Sequence, residues 1–433
     1  MPTAAGKLSA PVRSIRAVSK PSVRADVPAR ADLDACPGAL RLHAAADGPL
    51  ARVRVPGGRM TGAQLAAVQA LAEQWGDGHI ELTSRANLQL RALESAPAEQ
   101  LEVRLGAAGL LPSTTHELVR NIAASPLPGG PIDFPAAVPA LDRALCADPR
   151  LAGLPGRFLF ALDNGDGDVA FSADVAALPL GSAVAILFAG VDAGLRVEPG
   201  EVVAALIAGA HAFLDERAAQ QPAGPETPRV AWRVRELTAG PARVAARTAA
   251  ALGIPLGETA DLHKPRVREP VGVIAQADGL VAVGALVPLG RLSSVQMTVL
   301  ASAVDLVFTP WRGVVVPDQA PAEAGIWVGR LAEAGLEVAA GSRWAGVTAC
   351  AGRPGCAKSL ADVRADAFAA TTAGDGLPVH WVGCARGCGS PAGSHVRVEA
   401  TGSGYEVRSP HACGFAPAGS SQVSSLVGAA RKG

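Results

Sequence analysis

The sequence predicts an α+β protein in which one β-α-β unit occurs twice. The first copy, DGPLARVRVPGGRMTGAQLAAVQALAEQWGDGHIELTSRANLQLR, starts at Asp47; the second, DGLVAVGALVPLGRLSSVQMTVLASAVDLVFTPWRGVVV, starts at Asp278. Both read Asp-Gly, an apolar strand, Pro, then Gly-Arg and a helix start. The helix starts also agree in chemistry. Thr61 and Ser293 are expected N-caps, and Gln64 and Gln296 three residues later complete the capping-box pattern. A chain of 433 residues, 49% hydrophobic and 18% charged, has length for roughly two to three domains and for a sizeable core.

Along the chain, residues 1–30 lack periodicity and large apolar side chains and read as a flexible tail. In the first unit, within 31–100, Leu65, Val68, Leu71 and Trp75 recur at helical spacing, and a strand is expected from His79 to Thr83. A mixed segment fills 101–217. The Pro/Gly/Gln run Ala218–Pro228 reads as a linker, and a helical connection carries it to 262. The second unit occupies 263–330, with Met297, Leu300 and Val304 on one helix face and a strand over Leu306–Thr309. Residues 331–433 form the last mixed segment.

Composition excludes several classes. Thirty-nine basic residues balance 39 acidic ones, with no basic stripe among aromatics, so no nucleic acid is expected as partner. The least charged stretch, Val175–Val191, is too short to span a bilayer and holds Pro179, Gly181 and Gly190, so no membrane role is expected. No apolar leader opens the chain, and a cytoplasmic location is expected. There, seven cysteines suit metal or redox chemistry better than disulfides.

Four of the cysteines form two tight groups: Cys350 and Cys356 in TACAGRPGCAKSL, Cys384 and Cys388 in HWVGCARGCGSP. The spacing C-x5-C then C-x3-C lacks the C-x2-C knuckles usual for structural zinc. Gly352, Gly355, Gly387 and Gly389 would let backbone N–H groups approach inorganic sulfide. Four thiolates complete one [4Fe–4S] cluster, which is the expected cofactor; zinc and unligated core cysteines are the other readings. Cys36, Cys146 and Cys413 have no partner at ligand spacing and read as small buried hydrophobes. Arginines gather in turn-rich segments: Arg52 and Arg54 in RVRVPGG, Arg85 and Arg91 in TSRANLQLR, Arg120 in ELVRNI and Arg157 in LPGRF. Arg52 and Arg54 alternate on one strand face, and several guanidinium forks together suit a ligand with several carboxylates.

The cysteine spacing, the RxRxPGG strand, the T-x-R-x-x-x-Q line ending at Gln89, the Arg120–Asn121 pair and the duplication together resemble the sulfite/nitrite reductase superfamily, from about Ala35 onward. Within it, CPGALRLHAAADGPLARVRVPGG, LTSRANLQLR, LPGRFLFALDNGDGDV and GCARGCGSP are most similar to the precorrin-3B synthases. The resemblance implies two ferredoxin-like half-modules (31–100 and 263–330) and two larger α/β domains (101–217 and 331–433) around one tetrapyrrole cavity. It implies that Cys350, Cys356, Cys384 and Cys388 hold the cluster. Arg52, Arg54, Arg85, Gln89, Arg120, Asn121 and Arg157 would bind tetrapyrrole carboxylates.

In the reductases of that superfamily the cavity holds sirohaem, the last cysteine, here Cys388, bridges cluster and haem iron, and Arg52 and Arg120 would line a small-anion pocket with two lysines. Here Arg157 and Leu159 stand at the lysine positions. The activity implied is therefore a monooxygenase reaction on precorrin-3A with O2, hydroxylating C-20 and closing a γ-lactone in cobalamin biosynthesis. A sirohaem-dependent sulfite or nitrite reductase is the alternative, and an electron-transfer cluster carrier is a third. An apolar Leu159 would pack against the macrocycle. Electrons would come from ferredoxin, or from NADH through a reductase, because no G-x-G-x-x-G fingerprint occurs. The resemblance also allows a mononuclear non-haem iron, with His43, His79, His380, His395 and His411 open as ligands.

Overall fold

The structure is a computed structural model that describes residues 36–221, 230–263, 269–391, 393–410, 413–417 and 421–432. The expected tail, residues 222–228 of the expected linker, and His411 lie outside the described residues.

The first repeat folds as β1 (Ala51–Val53), β2 (Arg59–Thr61), α1 (Gly62–Trp75), β3 (His79–Leu82), β4 (Leu88–Leu90) and α2 (Ala98–Ala107). Helix α1 begins where Thr61 Oγ1 accepts the Gln64 N–H at 3.2 Å and Gln64 Oε1 accepts the Thr61 N–H at 3.0 Å. Two orphan donors of the first turn are thereby satisfied. Leu65, Val68 and Leu71 are buried and Trp75 packs beside them, as their spacing dictates. The expected boundary at residue 100 falls inside α2, whose Leu101 and Leu105 pack into the same core.

A five-stranded sheet follows in β5 (Ile122–Ala124), β6 (Phe160–Leu162), β7 (Val175–Leu180), β8 (Ala183–Phe188) and β9 (Val191–Val197). The first three strands are parallel neighbours and the last two return antiparallel. Helices α3 (Phe134–Ala147), α4 (Val202–Ala219) and α5 (Gly240–Leu252) share one apolar core with this sheet. The segment expected as linker and connection is thus partly structural. Helix α4 runs through Ala219, and Val244, Ala245 and Ala249 of α5 sit in the domain core. The two helices are pinned by Glu216, which pairs with Arg243 and, at 2.6 Å, with Arg247.

The second repeat comprises β10 (Gly272–Ala275), β11 (Val281–Leu286), β12 (Arg291–Ser293), α6 (Ser294–Leu300), β13 (Asp305–Phe308), β14 (Gly313–Gln319) and α7 (Ala324–Glu333). Ser293 and Gln296 form the second capping box. Helix α6 is shorter than its counterpart. The turn after it docks on the start of α1, where the Gly62 N–H donates to Val304 O at 3.2 Å, leaving Val304 itself 82% exposed rather than on the helix face.

The repeats exchange strands. β12 of the second repeat completes the sheet β1-β4-β3-β12, and β2 of the first completes β10-β11-β14-β13-β2. Leu65, Val68, Leu71 and Ile80 join Val283, Met297, Leu300 and Phe308 in one core. At roughly 1.5–3 kcal/mol per buried large aliphatic side chain, neither repeat reaches its full stabilisation alone.

The last domain contains β15 (Val347–Ala349), α8 (Val363–Ala370), β16 (Val379–Val382), β17 (Val396–Ala400), β18 (Gly404–Arg408), β19 (Cys413–Pro417) and α9 (Ser421–Lys432). β15, β16 and β17 are parallel, β18 and β19 antiparallel, in chain order. This repeats the topology of β5–β9, so the α/β domains are also a pair. No helix among the described residues is long and apolar enough to cross a membrane.

Candidate functional site

Parallel pairing brings the two cysteine-bearing loops side by side. Cys350 follows β15, and its N–H donates to Trp381 O of β16, so the chain leaving β15 lies beside the chain leaving β16 toward Cys384. The Gly383 N–H points at Cys350 Sγ at 3.3 Å. The Leu360 N–H donates to Gly383 O, and the Ser359 N–H to Cys356 O, which ties the Cys356 turn to the same strand end. The Gly387 N–H donates to Cys384 O, closing the turn that carries Cys388. None of the four is in a disulfide.

The cradle is made for small residues. A Cβ on Gly383 would lie 1.8 Å from Ser359 Oγ, and one on Gly387, which has φ +62°, would lie 2.3 Å from Arg397 Nη1. Four soft thiol donors in glycine-lined loops that offer backbone N–H groups fit a [4Fe–4S] cluster. Burial pushes the Cys350 thiol pKa up, the cost that a bound metal would offset by taking the thiolate. Among the described residues no three His, Cys, Asp or Glu side chains converge on one metal ion.

The proposed histidine ligands are placed for other work. His380 is buried; its Nε2 contacts Cys388 O at 3.0 Å and its Nδ1 contacts Thr348 Oγ1 at 2.8 Å, so both ring nitrogens are engaged. Burial drops its pKa to about 4, leaving a neutral ring that braces the cysteine turn. His79 Nδ1 contacts Asp77 O, and His395 Nδ1 contacts Gly393 O. His43 lies on the bridge to Leu50.

A second group is made of arginines, Arg54 buried and Arg52 and Arg85 half-buried. Arg52 donates through Nη2 to Gln89 Oε1 at 2.9 Å, and its buried Nε has no hydrogen-bond partner among the described residues. Arg54, 3% exposed, reaches Pro37 O and Leu118 O, while its buried Nη1 is likewise unpartnered among the described residues. Arg85 holds the 156–157 turn by donating to Gly156 O and Arg157 O. Burial and then the charges of Arg52 and Arg85 lower Arg54 to about 9; burial and then Arg233 lower Arg85 to about 10. Like charges confined with unspent donors carry two costs that a bound polyanion would relieve.

The other expected members are engaged within the protein, and Asn121 shares Leu118 O with Arg54 and Gly156 O with Arg85. Arg120 is buried with Asp142, Nε and Nη2 each 2.7 Å from a carboxylate oxygen and Nη1 on Leu110 O, so these three nitrogens are engaged in bracing the α3 side of the domain. Asn121 spends its amide on Leu118 O, Gly156 O and Asn87. Arg157 is exposed, its guanidinium 5.4 Å above the Trp232 ring. Leu159 is buried in an apolar cluster with Ala161, Val169, Ala170 and Ala173. Cys413 is exposed on β19, not a core residue, and Cys36 is half-buried in the chain leading to β1.

Sequence reasoning missed Glu81, Arg312 and Arg364, and grouped Arg91 with the carboxylate-binding arginines without foreseeing its contact with the cysteine loop. Arg91 chelates Asp47 and donates to Gly355 O at 2.8 Å, inside the first cysteine loop. Arg312, with φ +67°, lies over Gly290 beside Gly389. No signal in the sequence marked Glu81: alternation on β3 sends Ile80 and Leu82 into the core and Glu81 to the other face, where Arg364 of α8 meets it. A cavity of about 510 Å3 between α9 and the starts of β15 and β16 lies at the opposite strand ends from the cysteines.

Residues 43–108 match the nitrite/sulfite reductase ferredoxin-like half domain. A ferredoxin–nitrite reductase of Synechococcus elongatus is 27% identical over 385 residues, 79% of this chain and 74% of its own length. Another, from Leptolyngbya laminosa, is 29% identical over 272 residues, 56% of this chain and 52% of that protein. A precorrin-3B synthase of Sinorhizobium sp. is 39% identical over 74 residues, 17% of this chain and 16% of that one. The Mycobacterium tuberculosis NirA protein superposes with a TM-score of 0.68 at 21% identity, over 85% of this chain and 76% of its own. The strand-exchanged repeats, the paired α/β domains and these likenesses together give the chain the sulfite/nitrite reductase fold, with a nitrite/sulfite reductase ferredoxin-like half domain at residues 43–108.

Proposed function

We propose that this chain is an oxidoreductase with a [4Fe–4S] cluster on Cys350, Cys356, Cys384 and Cys388, beside a tetrapyrrole site at Arg52, Arg54 and Arg85. We further propose that the tetrapyrrole is the substrate, so that the reaction is the oxygen-dependent conversion of precorrin-3A to precorrin-3B. The observation that carries this choice is the state of the small-anion pocket. Of the four cation positions that the family resemblance assigns, Arg120 is saturated by Asp142 and position 159 is a buried leucine. A site that must stabilise charge on a reacting oxyanion loses about 10²–10³-fold in rate for each such contact removed. A carboxylate-rich macrocycle needs neither, because Arg52, Arg54 and Arg85 address its periphery. The short precorrin-3B synthase likeness supports the same reading.

The second reading is a sirohaem-dependent, ferredoxin-type nitrite or sulfite reductase. The extent of likeness favours it, since the ferredoxin–nitrite reductase of Synechococcus elongatus matches 79% of this chain. Both readings share the chemistry of the cysteine loops, where the bound cluster supplies single electrons. The chain's own residues orient and enclose. Arg52 and Arg54 clamp ligand carboxylates, Arg85 fixes the 156–157 turn, and the neutral His380 holds the Cys388 carbonyl. A ferredoxin, or a reductase fed by NADH, would be the electron donor.

Anaerobically purified protein analysed for iron, sulfide and haem, then given precorrin-3A, reductant and air, separates the two. The expected result is a cluster without sirohaem, an oxygen-dependent mass gain on the precorrin, and negligible reduction of nitrite or sulfite. Bound sirohaem with brisk nitrite reduction and an unchanged precorrin overturns the first reading and establishes the second.

A further inference from the structure

The tetrapyrrole site and the cysteine loops are joined by one continuous line of polar contacts. Strand register creates it. Arg52 on β1 faces Gln89 on β4, and Gln89 faces Glu81 on β3, so the three side chains stand in a row across neighbouring strands. Arg52 Nη2 donates to Gln89 Oε1 at 2.9 Å, and Gln89 Nε2 donates to Glu81 Oε2 at 2.9 Å. The other oxygen of Glu81 lies 2.6 Å from Arg364 Nη2 on α8, and Arg364 Nε donates to the carbonyl of Cys350 at 3.2 Å. Glu81 also sits 3.7 Å from Arg91, which donates to Gly355 O between Cys350 and Cys356. The Glu81 side chain is 12% exposed, Arg364 19% and Arg91 6%, so water screens the line weakly.

Within this row of described residues Glu81 stands between the two halves, with Arg364 of the cysteine domain beside one oxygen and the Gln89 amide donating to the other. An anion captured by Arg52 competes with Gln89 for its donors. The released Gln89 shifts its hold on Glu81, and Glu81 in turn changes its grip on Arg364 and on the Cys350 loop. We propose that Glu81 is a positioning residue that couples carboxylate binding at Arg52 to the reduction potential at the cysteine loops. The proposal rests on the tetrapyrrole reading above and adds to it a mechanism by which an occupied cavity sets when electrons arrive.

Coupling is reciprocal: a ligand that opposes reduction must itself bind less tightly after reduction, by the same factor. Added negative charge opposes reduction, so sirohydrochlorin, a metal-free octacarboxylate, is expected to bind about tenfold more weakly to the reduced protein. That ratio equals a fall of about 59 mV in a one-electron midpoint potential. Titrations with and without sirohydrochlorin, on cluster-containing full-length protein, read both quantities without any turnover. In E81Q and in Q89L, which changes no charge, the affinity ratio is expected to fall below about threefold; direct repulsion between ligand and cluster survives in both. Q89L carries the test if E81Q loses its cluster. Ratios that stay near tenfold in cluster-containing variants overturn the relay and leave the tetrapyrrole reading standing. Failure of the wild-type protein to bind sirohydrochlorin overturns both.

Discussion

Single atoms decide what the cysteine loops tolerate. A Cβ at Gly383 would meet Ser359 Oγ at 1.8 Å, and Ser359 is itself tied to Cys356 O. Gly383→Ala should therefore displace the Cys356 turn and lower iron and sulfide content several-fold, whereas Gly402→Ala, with nothing within 4 Å, should leave both unchanged. Equal cluster content in the two variants would contradict this placement of the loops. Arg120 and Arg52 offer a second contrast. Removing Arg120 strands the Asp142 carboxylate, so Arg120→Ala should cost about 3 kcal/mol of stability in chemical denaturation. Arg52→Ala should instead weaken sirohydrochlorin binding by roughly 1.5–3 kcal/mol, the scale of a charge-assisted hydrogen bond, while the melting curve moves little. A reversal of that pattern would return Arg120 to the ligand.

Helices α4 and α5 illustrate how an element is held by its charges. Burial alone would raise the pKa of Glu216, but hydrogen bonds from Gln220, Arg247 and Arg243 outweigh it and hold the carboxyl down at about 2. A carboxylate depressed in the folded state adds stability at pH values above its unfolded pKa of about 4.3. That stability drains away as pH falls through the window from about 4 to about 2. In Glu216→Gln the melting temperature should drop at pH 7, and its acid-side slope between pH 4 and 2 should flatten against wild type. An unchanged slope would mean that Glu216 is not held by its arginines in solution.

At the scale of the molecule, strand exchange makes the repeats one folding unit. β3 needs β12 and β2 needs β13, and the core side chains of both repeats interleave. A fragment of residues 36–111 would expose an unpaired strand edge and half of an apolar core, which a small domain cannot sustain. It should be unfolded or self-associated by circular dichroism and sedimentation, and the intact protein should lose both repeats in a single calorimetric transition. A monomeric, cooperatively folded fragment would show the repeats to be independent.

The sequence by itself determined the pieces whose physics is local. Capping boxes at Thr61 and Ser293 act across three residues, helical periodicity needs one face, and the four cysteines with their glycines lie in short loops whose spacing supports the proposed cluster. Tertiary structure alone decided who faces whom. The strands traded between repeats, the second pairing of α/β domains, Asp142 consuming Arg120, Leu159 turning into an alanine-lined core, and Glu81 standing between Gln89 and Arg364 all depend on register and docking. An arginine's partner can come from any strand or helix that packs within reach of its long side chain, so spacing along the chain carries no record of it. For that reason the residue types of the candidate site were legible, and the division between arginines that keep unpartnered donors and those that brace the fold was not.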